Sequence, residues 1–200
     1  MLNISVPAFA ESYNGSDLFT VDIPEGYHQT PFESGSAYNF TDKNGDTFSV
    51  TVKENTDEFC VNALSQKDIE DFKASFLDNS EEILALYKLD IQYEYLSAEK
   101  VKTANKTPAL ACVMKNTVSN DKRTEVFYQK FYEFGGVERR YNFTYTTKDK
   151  DRLDSMDASF ESIVINEAQT KSIPEKLAPY GGAAVLVLLL LLGIVRFIKK

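Results

Sequence analysis

One histidine, two cysteines and no tryptophan leave this chain few ways of doing chemistry. His28 follows the turn Pro24-Glu25-Gly26-Tyr27 and has no second histidine with which to share a metal or a proton, so it is read as an exposed loop residue. Asp42, Asn44 and Asp46 have the spacing of the first ligands of a calcium loop. Thr47, however, stands where that loop needs glycine, and Lys53 where it needs its closing glutamate. The same residues suit a hairpin tip, because Asn44-Gly45 tolerates positive φ. Asp149, Asp151, Asp154 and Asp157 could gather a cation, but acids at a helix start more simply complement the helix dipole on a solvated face.

Cys60 and Cys112 leave two readings open. Outside the cytoplasm they could form a disulfide, closing a loop that contributes about 4 kcal/mol in chain entropy. Alternatively they are buried thiols acting as small hydrophobes, since Cys112 shares a strand face with Leu110 and Met114 and Cys60 lies within Phe59-Cys60-Val61. The sequence has no phosphate loop, dinucleotide fingerprint, zinc-protease helix or nucleophile elbow. Glu138-Arg139-Arg140 reads as a solvated cross-strand charge pair. N-x-S/T sequons begin at Asn14, Asn39, Asn105 and Asn142, among others, and Asn39 and Asn142 fall in expected strands. No catalytic residue, cofactor-binding residue or metal ligand is nominated, and no cofactor is expected.

Charge divides the chain. Residues 1–170 hold 17 basic and 29 acidic residues, and residues 171–200 hold five basic and one acidic. The acidic part argues against a nucleic-acid partner, which needs a basic surface. Residues 177–195 carry no charge and include the unbroken aliphatic run Val185–Leu192. As a helix this segment is roughly 28 Å long, close to the thickness of a bilayer's hydrocarbon core. The reading is therefore a single transmembrane helix over residues 180–198. Tyr180 lies at one interface, Leu186 and Leu190 in lipid, and Arg196 snorkels ahead of Lys199 and Lys200. The basic cluster at that end places the C-terminus in the cytoplasm and the N-terminal domain outside it.

Ala8-Phe9-Ala10 is the small-x-small pattern of a signal-peptidase site, followed at once by polar Glu11-Ser12. Residues 1–10 are read as the remnant of a signal peptide whose start lies upstream of Met1. Residues 11–166 are then an exported domain, 167–179 a stalk containing Pro174 and Pro179, and 199–200 a cytoplasmic tail.

Within the domain, period-two alternation predicts strands through Phe19-Val21-Ile23, Tyr38-Phe40, Phe48-Val50-Val52, Leu89–Tyr95, Leu110-Cys112-Met114, Thr124–Phe134 and Val137–Thr146. Apolar residues on both faces of the Thr124–Phe134 strand call for cover on both sides. Ser65 and Asp68 form a capping box before Ile69, Phe72, Phe76 and Leu77, and a shorter helix is expected from Ser80. A third helix is expected from Asp149 to Glu161, burying Leu153, Met156 and Phe160. The order implies an α+β fold, an antiparallel β-sheet with helices on both faces.

The segment Leu18-Phe19-Thr20-Val21-Asp22-Ile23-Pro24-Glu25-Gly26-Tyr27 resembles the opening strand and turn of the PsbP-like superfamily, which includes DcrB-type lipoproteins. Phe127–Tyr132, Tyr141–Tyr145 and Phe160-Glu161-Ser162-Ile163 resemble its closing segments. The likeness spans about residues 18–165. It implies an α/β/α sandwich that is exported or membrane-attached and serves as a binding or assembly factor without catalysis. The chain differs from many members in having a C-terminal span in place of a lipid-modified N-terminal cysteine, and the superfamily offers no catalytic residue to carry over. The expected function is thus a non-catalytic, membrane-anchored module outside the cytoplasm, binding the bilayer through residues 180–198 and a protein or small ligand through its head. Its rivals are a tail-anchored cytosolic adaptor and a hydrolase built on paired carboxylates.

Overall fold

Alternating strands of this kind need a second layer to bury their apolar side, and the computed structural model shows where each finds it. The structure describes residues 9–31, 37–78, 90–119 and 123–168. The span expected over 180–198, with Tyr180, Leu186, Leu190, Arg196, Lys199 and Lys200, lies outside these residues, as does the short helix expected from Ser80. Among the described residues no helix is long and apolar enough to cross a membrane.

Seven strands form one antiparallel sheet in the order β3-β4-β5-β9-β8-β7-β6. They are β3 (His28–Thr30), β4 (Ala37–Thr41), β5 (Thr47–Glu54), β6 (Asp90–Lys102), β7 (Pro108–Ser119), β8 (Thr124–Gly135) and β9 (Arg139–Thr147). The Phe19-Val21-Ile23 strand is not part of this sheet, contrary to the single sheet expected. As β2 (Phe19–Pro24) it pairs with β1 (Phe9–Asn14) and β10 (Val164–Ile165) in a separate three-stranded sheet. β1 takes in Phe9 and Ala10, the last two residues of the segment read as a signal remnant.

The two faces of the large sheet carry different cores. On one, Phe40, Phe48, Tyr132, Phe134, Tyr141, Phe143 and Tyr145 meet β2's Phe19, Val21 and Ile23 together with Phe160. On the other, Leu110, Cys112, Met114 and Phe131 meet Phe59, Val61, Leu64, Ile69 and Phe72. β8 thus contributes Tyr132 and Phe134 to one core and Phe131 to the other, as its two-sided pattern requires.

Helices are few. α1 (Gln66–Asp78) starts at a reciprocal capping box, in which the Ser65 N–H donates to Asp68 Oδ2 at 2.7 Å and the Asp68 N–H to Ser65 Oγ at 3.2 Å. The single helix expected over Asp149–Glu161 is instead a 3₁₀ stretch, Lys150–Met156, followed by a six-residue α2 (Asp157–Ser162). The spacing explains the split. Leu153 and Met156 are buried three residues apart, which suits three residues per turn, and Phe160 follows four later, which suits the α-helix.

A Cβ on Gly135 would lie 2.0 Å from the Phe59 carbonyl oxygen, so the loop crosses β8 at a point only glycine allows. β6 ends the large sheet, and its ladder with β7 slips between Tyr95 and Ser97, leaving Leu96 on a bulge.

Candidate functional site

Among the described residues, polar side chains gather in two charged clusters and beside a groove, each built by residues distant in sequence. The first closes the β4–β5 hairpin. Asp42 Oδ1 accepts from the N–H groups of Asn44 (2.8 Å) and Asp46 (3.0 Å), and its Oδ2 from the Asn44 amide (2.9 Å). Arg152, from the 3₁₀ stretch, donates to Asp42 Oδ2 at 2.9 Å and pairs with Asp46 Oδ2 at 2.5 Å, while Tyr145 donates to the same Asp46 oxygen at 2.9 Å. The arrangement resolves the calcium-like spacing, because an arginine occupies the place of the cation. Burial works against the Asp42 charge, but Arg152, the two backbone N–H groups and the Asn44 amide outweigh it and hold the carboxyl below its ordinary range.

A carboxyl depressed on folding stabilises the fold above its unfolded pKa of about 3.9, and the contribution fades as pH falls through the folded value. Replacing Arg152 by glutamine should therefore cost about 1 kcal/mol near neutral pH, since the arginine is partly exposed. The gap from wild type should close in acid. Urea titrations across that range check this, and a gap that widens in acid contradicts it.

The second cluster lies on the α1 side of the sheet. Arg140, its side chain 3% exposed, donates through Nε to Glu133 Oε1 and through Nη1 to Asp57 Oδ2 at 2.7 Å, and its guanidinium sits 3.8 Å from the centre of the Phe59 ring. Glu133 is 1% exposed, and its second carboxylate oxygen has no hydrogen-bond partner among the described residues. The Glu138-Arg139-Arg140 triplet is therefore not one solvated pair. Successive strand residues face opposite sides of the sheet, which leaves Arg139 at the surface and buries Arg140. The Asn55 amide fastens the adjoining loop, donating to the carbonyls of Gly136 (2.7 Å) and Phe59 (3.2 Å) while its oxygen accepts from the Phe59 N–H at 2.8 Å.

The groove, of about 350 Å³, runs between the end of β5 and the β8–β9 turn and is lined by Glu54, Asn55, Thr56, Glu138 and Arg139. Its wall is braced from behind. Glu167 Oε1 accepts from the Arg139 N–H at 3.0 Å and its Oε2 from the guanidinium at 3.2 Å, and the Val137 N–H donates to the Ala168 carbonyl at 3.0 Å.

Other sequence candidates do not converge on these places. His28 opens β3 and is exposed. Asn14 and Asn105 are exposed, whereas Asn39 and Asn142 are buried at 7% and 4%. No group of three or more His, Cys, Asp and Glu among the described residues could hold a metal ion.

Cys60 and Cys112, for which the sequence leaves two readings open, are buried thiols in the structure, 3% and 0% exposed. Burial, with Glu133 nearby, pushes the Cys112 thiol well above its ordinary range, which favours the protonated thiol. Both cysteines should react with a thiol reagent in denaturant, and far more slowly without it. A denatured, unreduced chain with no reactive thiol contradicts this.

The fold that positions these groups, mostly antiparallel strands with few helices, is PsbP-like. It resembles the solution structure of cyanobacterial PsbP (CyanoP) from Synechocystis sp. PCC 6803, with a TM-score of 0.51 and 15% identity over 82% of this chain and 95% of that one. A crystal structure from Bacteroides thetaiotaomicron VPI-5482 aligns at a TM-score of 0.49 and 10% identity, over 82% of this chain and 50% of that protein. No known protein family and no curated protein matches the sequence.

Proposed function

We propose that residues 11–166 are a non-catalytic binding or assembly module, held at a membrane by residues 180–198 and facing away from the cytoplasm. The observation that carries this reading is the PsbP-like fold, combined with the charge-free 177–195 run that ends in Arg196, Lys199 and Lys200. We read the fold as a thinned α/β/α sandwich, with α1 contributing Ile69 and Phe72 to one core and α2 contributing Phe160 to the other. The charged clusters favour a structural role over catalysis, because their carboxylates are engaged by arginine: Asp42 and Asp46 by Arg152, Glu133 and Asp57 by Arg140. The partner of the head is a protein or a small ligand, and its net acidity disfavours nucleic acid.

Two measurements on the full chain test the proposal. It should stay with membranes through alkaline carbonate washing, and protease added to intact cells should digest the head. A head protected in intact cells but digested after lysis would instead establish the tail-anchored cytosolic adaptor. A chain released by carbonate would overturn the anchor.

A further inference from the structure

We propose that Lys53, Asn142 and Glu133 form a binding site for a small 2-hydroxycarboxylate, its carboxylate on Lys53 and its hydroxyl between Asn142 and Glu133. The inference rests on reading the head as a binding module and names the class of its small ligand. Strand register brings the three residues together. Asn142 of β9 stands opposite Glu133 of β8 on one side and Thr51 of β5 on the other, and Lys53 stands opposite Arg140 in the next row. Val50 and Val52 of β5 point to the β2 side of the sheet, so Thr51 and Lys53 share the α1 side with Asn142, Glu133 and Arg140. Opposite residues on adjacent strands have Cβ atoms about 5 Å apart and diagonal ones about 7–8 Å, a patch that one small molecule can span.

Two of these side chains are buried with hydrogen-bonding capacity unused. Arg140 Nε donates to Glu133 Oε1, and Thr144 Oγ1 donates to Asn142 Oδ1 at 2.5 Å. That leaves Glu133 Oε2 as an acceptor and Asn142 Nδ2 as a donor, on residues 1% and 4% exposed, with no partner among the described residues. A hydroxyl complements the pair, since it accepts from the one and donates to the other, whereas an ammonium cannot accept. Lys53 adds an independent demand. It is a partly buried cation with no hydrogen bond or ion pair among the described residues, because Glu133 and Asp57 are both bonded to Arg140. Burial first, and the facing Arg140 next, hold its pKa below the ordinary lysine range against the opposing pull of Glu133 and Asp57. A ligand carboxylate supplies the missing anion. Thr51 and Lys53 are the partly exposed members of the patch, so the ligand enters past them and finds Asn142 and Glu133 as the floor.

Trace acetylation of the full chain in detergent micelles with acetic anhydride, read by mass spectrometry, tests this. It requires no bilayer, and a head that binds a protein partner but no hydroxy acid would sink this proposal while leaving the module reading in place. Lys67, exposed and paired with Asp71, is the internal reference. Saturating glycolate should slow Lys53 acetylation at least about threefold relative to Lys67, with half-saturation in the millimolar range usual for so small a ligand. Sodium chloride at the same ionic strength should not. Acetate, which lacks the hydroxyl, and ethylene glycol, which lacks the carboxylate, should each need at least about tenfold more, the effect of losing one hydrogen bond to a charged group. K53Q should abolish the line broadening of ¹³C-glycolate by the chain, and the protection series needs no variant, so a misfolded variant does not decide the outcome. No protection of Lys53, or equal protection by glycolate, acetate and chloride, overturns the proposal. So does stronger protection by glycine than by glycolate, which would put an ammonium where the hydroxyl is assigned.

Discussion

Replacing Arg140 by alanine should destabilise the domain by about 3–5 kcal/mol, because it leaves Glu133 charged, 1% exposed and without its counter-ion. The guanidinium also covers the Phe59 ring, so packing is lost with the charge. Two comparisons show that burial of the charge is the cause. Lys115→Met, which breaks the exposed Lys115–Glu94 pair, should cost no more than about 1 kcal/mol. Arg140→Met combined with Glu133→Leu and Asp57→Asn should recover more than half of the loss, since removing all three charges removes the desolvation penalty as well as the attraction. Equilibrium urea unfolding of the four proteins is sufficient. If Arg140→Ala costs no more than Lys115→Met, the buried pair does not hold the fold as described.

Phe143→Ala should be similarly damaging, at about 3–5 kcal/mol, for a different reason. Phe143 is fully buried and meets Phe19 edge-on at 5.1 Å and Phe134 at 5.6 Å, with Phe48 tilted at 6.3 Å. Phe19 belongs to the small sheet and the other two rings to the large one, so this side chain ties the layers together. Each aromatic contact adds about 0.5–1.5 kcal/mol to the area buried. Hydrogen exchange should show where the damage falls: amides of β1 and β2 should lose more protection than those of β6 and β7, which pack away from the cavity. Uniform loss across all strands would mean that the ring supports the whole domain and not the junction between sheets.

The parts of this fold visible in its sequence are those governed by neighbours in the chain. The Ser65–Asp68 box, the Asn44-Gly45 tip and the two-faced pattern of β8 all rest on spacings of a few residues, and each appears where the spacing places it. The ten residues Leu18–Tyr27, with the closing segments Phe127–Tyr132, Tyr141–Tyr145 and Phe160–Ile163, carry the resemblance to the PsbP-like fold. Alternation tells which side of a strand is buried, but it is silent on which sheet the strand joins. That is why β2 could not be assigned to the smaller layer. The charged clusters were hidden for a related reason. Arg152 stands 110 positions from Asp42, and nothing near either residue announces the other. In Glu138-Arg139-Arg140 the charges stand side by side, which conceals that the pleat sends one arginine outward and the other into the interior.

The bulged border strand β6 has a consequence for how molecules coexist at high density. A straight, greasy border of thirteen residues would offer its open amides and carbonyls to the next molecule and seed a fibril. Here the kink at Leu96 throws the two halves of the border out of phase, and Glu94, Glu99, Lys100 and Lys102 crowd it with charge. Neighbouring heads can be concentrated side by side without zipping into a shared ribbon.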